Sequence, residues 1–142
     1  MPRTKATILC IDDHWNELIQ RKLLLEKNGY RVLQATDGSE GLRLFLSNPV
    51  DAVTLDYQMP GTSGAAIAAH FKLLKPHVPI LLLCAFEPLP KNKLKSVDSF
   101  LSKSQPSRVL LSTLHDLLNG WSKPLFHRWL DQWKLRNQAV RP

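Results

Sequence analysis

No stretch of this chain is long and apolar enough to cross a bilayer. The longest apolar run, Val78 to Ala85, is short and broken by Pro79, well below the roughly 20 residues that a membrane helix needs. Residues Met1-Pro2-Arg3-Thr4-Lys5 lead straight into a strand-like run, with no secretory hydrophobic region between. Cysteine is scarce. Cys10 and Cys84 are the two in 142 residues, each in or at the end of an apolar run. Their number and spacing exclude a disulfide scaffold and a cysteine-rich metal site. There is no internal repeat and no low-complexity segment. The expectation is a cytoplasmic, soluble protein without a membrane span.

Acidic residues are the minority, 12 against 19 Lys and Arg, for a net charge of +7. The excess is uneven. After residue 120, Lys123, Arg128, Lys134, Arg136 and Arg141 stand against Asp131, so +4 of the +7 lies in a C-terminal appendage. Hydrophobic content is 44%, too high for a disordered chain, and 142 residues suffice for one domain with a real core.

Apolar runs alternate with helical patterns five times. Thr7–Ile11, Tyr30–Ala35, Ala52–Leu55, Ile80–Cys84 and Ser99–Ser102 read as strands. His14–Asn28 reads as a helix stopped by Gly29, and Glu40–Ser47 as one ended by Asn48-Pro49. Gly64–Leu74 and Ser107–Leu118 are the next two. Such alternation argues for a parallel sheet with helices on both faces. Between the fourth and fifth strands, Glu87 to Ser96 holds Pro88 and Pro90 and few apolar residues, leaving room for at most one or two helical turns. The third strand separates the first from the fourth, so Cys10 and Cys84 are expected about 9.6 Å apart, beyond disulfide reach.

The chemistry-bearing residues stand at strand ends. Asp12-Asp13 ends the first strand, Asp56 the third and Lys103 the fifth. In an open α/β sheet, ligands bind at those C-terminal tips. Carboxylates gathered there repel one another unless a hard cation lies between them. The constellation suggests Mg²⁺ and a phosphoryl group.

The ordered set Ile11-Asp12-Asp13, Gly29-Tyr30-Arg31-Val32, Ala35-Thr36-Asp37-Gly38, Asp56-Tyr57-Gln58-Met59-Pro60 with Gly64, and Phe100-Leu101-Ser102-Lys103 resembles the receiver domain of bacterial two-component response regulators. The resemblance covers about residues 5–118. It implies an α/β, flavodoxin-like, doubly wound five-stranded parallel sheet in the order 2-1-3-4-5. It implies that Asp56 accepts a phosphoryl group from a sensor histidine kinase or phosphotransfer protein. Asp12, Asp13, Asp56 and the backbone carbonyl of Gln58 would form the Mg²⁺ site, with Asp12 acting partly through water. Lys103 would pair with a phosphoryl oxygen, and Phe100 fills the aromatic switch position. Self-catalysed phosphoryl transfer and autodephosphorylation would be the only catalysis; no further acid–base or nucleophile constellation is visible.

Two positions depart from the family. Cys84 stands where the family has Ser or Thr at the end of the fourth strand, and a thiol is a weak donor. Ser104 stands where the family has proline after the lysine. Both keep open the alternative of a degenerate receiver that acts as a phosphorylation-independent scaffold. His14, beside the acidic pair, is read as an exposed side chain without a role.

The basic tail, residues 119–142, carries Leu125, Phe126, Trp129, Leu130 and Trp133 at the spacing of one helical stripe. The expectation is an additional C-terminal amphipathic helix, packed on this domain, on a second copy as a homodimer, or on a partner protein. About 24 residues after the core cannot form a winged helix. Nucleic-acid binding through this tail is the lesser alternative, because no recognition motif accompanies the charge.

Overall fold

The computed structural model of the chain describes residues 5–85 and 95–120. The awaited short helix in 87–96 lies mostly outside them, and the C-terminal amphipathic helix wholly so.

Strands β1 (Thr7–Ile11), β2 (Arg31–Ala35), β3 (Ala52–Asp56), β6 (Ile80–Cys84) and β7 (Ser99–Ser102) form one parallel sheet in the order β2-β1-β3-β6-β7. With the strands of this sheet counted in chain order, it is the expected 2-1-3-4-5 arrangement. Alternate residues of the apolar runs face opposite sides. Ile8, Cys10, Leu81, Leu83 and Leu101 join α1 (Trp15–Lys27) and α4 (Ser107–Leu118) in one core through Leu18, Leu25, Leu114 and Leu117. Leu9, Ile11, Val53, Leu55, Leu82 and Phe100 join α2 (Gly38–Ser47) and α3 (Gly64–Leu74) in the other through Phe45, Ile67, Ala68 and Phe71. Phe45 stacks on Phe71 with ring centroids 4.2 Å apart, tying α2 to α3. Burial on both faces is why these strands read as continuous hydrophobic runs.

Several boundaries differ from the sequence reading. His14 is extended, with φ −96° and ψ 101°, so α1 starts at Trp15. Asp37 is the N-cap of α2 and accepts a hydrogen bond from the Glu40 amide, so that helix begins at Gly38 rather than Glu40. On α1 only Leu18 and Leu25 are buried; Ile19 and Leu23 face solvent.

A feature not foreseen is a small hairpin beyond β3, formed by β4 (Gln58–Met59) and β5 (Thr62–Ser63). Its turn is Pro60-Gly61. Pro60 presets one turn position, and Gly61 takes φ +82° at the next. Cys10 and Cys84 are buried free thiols on strands separated by β3, as expected.

Candidate functional site

The sheet fixes the three strand tips before any side chain is considered. The Asp12 amide donates to the Ala35 carbonyl at 3.1 Å, the Tyr57 amide to Leu83 at 2.8 Å and the Lys103 amide to Cys84 at 2.7 Å. Every tip is therefore pinned to its neighbour strand. Beyond β3 the chain turns at once into the hairpin and returns to α3. The Gly64 amide donates to the Tyr57 carbonyl at 2.8 Å. A Cβ on Gly64 would overlap the Asp56 carbonyl oxygen and sit 2.9 Å from Tyr57 Cα. Glycine at position 64 is thus what lets α3 close against the back of Asp56.

The expected residues come together. Asp12 and Asp56 are almost wholly buried, and Asp13 is a quarter exposed. Lys103 Nζ lies 3.1 Å from Asp12 Oδ2 and 3.2 Å from Asp56 Oδ1. Gln58 opens the hairpin, and its amide donates to the Asp56 carboxylate. Cys84 is buried at the end of β6, and Phe100 is buried in the core beside Leu82, its register partner. Ser104 does what proline cannot: its amide donates to Ser102 Oγ at 3.2 Å, and the two hydroxyls lie 2.7 Å apart.

Three neighbours were not assigned from the sequence. Glu17 Oε2 takes the shortest contact to Lys103, 2.6 Å. Arg21, one helical turn on, reaches Asp12 Oδ2 at 3.4 Å. His14 Nδ1 lies 3.1 Å from Asp12 Oδ1, 3.2 Å from Asp13 Oδ1 and 3.9 Å from Asp56 Oδ2. The helical spacing of 17 and 21 was visible; that their face of α1 meets Lys103 was not, since it depends on how the helix lies on the sheet.

The electrostatics are uneven. Burial pushes Asp12 up, but the hydrogen bond from the His14 amide, together with Glu17 and Lys103, outweighs it and holds the carboxyl at about 2. Asp56 goes the other way. Burial and the Asp12 charge raise it to about 6, against the pull of Lys103. Burial alone would depress Lys103, yet Glu17, Asp12 and Asp56 raise it, so its charge is secure. Cys84 is pushed up to about 12 by burial and by Asp56, so it is a neutral thiol and not a nucleophile at pH 7.

A divalent cation suits this set. Asp12, Asp13, Asp56 and Glu17 stand against Lys103 and Arg21, leaving two negative charges uncompensated, or one where His14 beside them is protonated. Asp13 Oδ1 and Asp56 Oδ2 are enclosed and lack a hydrogen-bond partner. The Asp12, Asp13, His14 and Asp56 donor atoms all lie within 4.8 Å of one another. Oxygen donors of this kind fit Mg²⁺.

The chain is similar to known proteins. The model of the response regulator receiver domain family matches residues 8–115. The transcriptional regulatory protein GlrR of Escherichia coli (strain K12) is 30% identical over 132 residues, covering 91% of this chain and 30% of that protein. Protein PilH of Pseudomonas aeruginosa is 29% identical over 122 residues, covering 81% of this chain and 99% of PilH. The response regulator protein TrrA of Thermotoga maritima, solved in complex with Mg²⁺-BeF, superposes with a TM-score of 0.75 at 31% identity, covering 79% of this chain and 98% of that one. A second structure holds TrrA in complex with the histidine kinase ThkA (TM-score 0.75, 32% identity, covering 80% and 98%). The chain thus spans 30% of the length of GlrR but nearly all of PilH and TrrA. Among the described residues, no helix is long and apolar enough to cross a membrane.

Proposed function

Because this chain belongs to the response regulator receiver domain family, we propose that it is a phosphorylatable receiver whose acceptor is Asp56. The observation that carries this reading is the unpartnered Asp56 Oδ2. It is a buried carboxylate oxygen left free at a strand tip, while its twin Oδ1 is held by Lys103 at 3.2 Å. Oδ1 is fixed by Lys103, and Oδ2 carries no hydrogen bond, enclosed 3.9 Å from His14 Nδ1.

The step is a phosphoryl transfer from a phosphohistidine. One carboxylate oxygen of Asp56 forms a bond to phosphorus as the N–P bond breaks; the imidazole leaves with that electron pair and takes up a proton. The product is an aspartyl phosphate. Little covalent help is needed, and catalysis is positioning plus charge neutralisation. Gln58 and Lys103 hold the acceptor carboxylate in place. Lys103, a compact ammonium already at the site, then pairs with a phosphoryl oxygen. Asp12, Asp13, Asp56 and the Gln58 carbonyl would hold Mg²⁺, which would neutralise charge on the transferring group.

Support for the partner class comes from the TrrA–ThkA complex: a sensor histidine kinase or phosphotransfer protein would supply the phosphoryl group, in the cytoplasm. Output would pass through protein contacts. A second reading, a scaffold that ignores phosphate, is favoured by one observation: the hydroxyl expected at the end of β6 is replaced by the buried, neutral Cys84 thiol. Incubation with a small phosphodonor and Mg²⁺ separates the two. The receiver reading expects a hydroxylamine-sensitive phosphoprotein in the wild type and none in Asp56→Asn. The scaffold reading expects none in either.

A further inference from the structure

His14 is the residue that the receiver reading leaves unused. It is the N-cap of α1, and its extended backbone turns the chain from β1 into the helix. Its own amide donates to Asp12 Oδ1 at 2.9 Å, which fixes the residue over the carboxylates. The ring stands at the rim of the site, 59% exposed, with Nδ1 turned inward.

His14 Nδ1 shares a hydrogen bond with Asp12 Oδ1 at 3.1 Å, and the separations around it are also those of ligands about one ion. Donor atoms about 2.1 Å from a six-coordinate ion are roughly 3.0 Å apart along an octahedral edge and roughly 4.2 Å apart across it. His14 Nδ1 is 3.1 Å from Asp12 Oδ1 and 3.2 Å from Asp13 Oδ1, both edge lengths. It is 3.9 Å from Asp56 Oδ2, between edge and diagonal. Asp13 Oδ1 and Asp56 Oδ2 have no hydrogen-bond partner, so two enclosed oxygens and a ring nitrogen converge on one small volume.

We propose that His14 is a ligand of the cation site, and that this receiver therefore favours divalent transition-metal ions over Mg²⁺ more strongly than an all-oxygen site would, Mn²⁺ least among them. The proposal rests on the cation site of the preceding section. Mg²⁺ seeks oxygen and keeps its waters. Imidazole nitrogen suits the borderline transition metals, whose affinity for mixed N/O sites rises along the series from Mn²⁺. A plain counter-ion role for His14 makes the opposite forecast: removing a cation from beside the carboxylates would strengthen metal binding.

The test uses the full, tag-free chain at one fixed pH. Pulsed EPR of bound Mn²⁺ reads nitrogen coupling directly, and calorimetry gives the Mn²⁺ and Mg²⁺ affinities of wild type, His14→Asn and Asp13→Ala. The expected result is a directly bonded nitrogen in the wild type that vanishes in His14→Asn. Mn²⁺ affinity falls about tenfold in that variant, at the low end of losses seen on disturbing a metal shell, and the Mn²⁺-to-Mg²⁺ affinity ratio falls with it. No nitrogen coupling in the wild type, or tighter Mn²⁺ binding by His14→Asn, overturns the ligand role while leaving Asp56 phosphorylation standing. Undiminished binding of both ions by Asp13→Ala overturns the cation site itself.

Discussion

Lys103 is held more closely by Glu17 than by the acceptor it is meant to serve: its Nζ lies 2.6 Å from Glu17 Oε2 and 3.2 Å from Asp56 Oδ1. Glu17 is about two-fifths exposed, so the pair is a solvent-screened one. Releasing such a pair is worth about 0.5–1 kcal/mol. Glu17→Gln is expected to let Lys103 move fully onto the phosphoryl group and to raise the rate of phosphorylation by a small phosphodonor about two- to fivefold. An unchanged or slower rate would show that Glu17 positions the lysine instead of competing for it.

Cys84 is the departure most directly tied to output. Its thiol is neutral and a poor donor, whereas a hydroxyl makes a strong hydrogen bond to a charged oxygen. Cys84→Thr is expected to leave phosphorylation of Asp56 intact. It is also expected to enlarge the phosphate-dependent change in hydrogen exchange across residues 85–96 and around Phe100. Equal exchange differences in the two proteins would count against a signalling role for position 84.

The raised Asp56 carboxyl makes a stability forecast for the metal-free protein. Between its ordinary 3.8 and its folded value of about 6, the folded chain holds a proton that the unfolded chain releases. Stability from this group is full below pH 3.8 and is lost as pH rises through 6. Asp56→Asn, with no charge to bury, is expected to be the more stable protein at pH 7 in a chelator. The gain is about 1–3 kcal/mol, from two pK units at about 1.4 kcal/mol each as the ceiling. Denaturant unfolding between pH 4 and 7.5 checks it. The gain should shrink towards zero at the acid end; a gain that grows there would contradict the assignment.

Gly64→Ala places a methyl group against the Asp56 carbonyl oxygen and Tyr57 Cα. Neither backbone atom can yield cheaply. The expected cost is about 1–3 kcal/mol, with slower phosphorylation because the strand tip itself must shift. A thermal melt matching wild type would show that α3 gives way instead.

The sheet was legible because its strands are buried on both faces: Ile80–Cys84 and Ser99–Ser102 stand as read from their apolar runs. α3 and α4 also match residue for residue, since Lys75-Pro76 stops the one and Pro106 and Asn119-Gly120 bracket the other. The Asp12-Asp13, Asp56 and Lys103 set was legible because parallel strands deliver their C-terminal tips to one edge. The β4–β5 hairpin was not, although Pro60-Gly61 signals its turn, because two-residue strands are too short to alternate. Glu17, Arg21 and His14 were missed for another reason. The places of Glu17 and Arg21 follow from the rotation of α1 about its axis, which exposed Ile19 and Leu23 hide by blurring the apolar stripe; that of His14, just outside the helix, follows from its amide's hydrogen bond to Asp12.

The most direct measurement is the stoichiometry of phosphoryl incorporation from a small phosphodonor, with and without Mg²⁺, in wild type, Asp56→Asn and Asp13→Ala. The account predicts Mg²⁺-dependent incorporation approaching one group per wild-type chain, none in Asp56→Asn and strongly reduced incorporation in Asp13→Ala. Equal incorporation in wild type and Asp56→Asn, or none in the wild type with Mg²⁺ present, would contradict it.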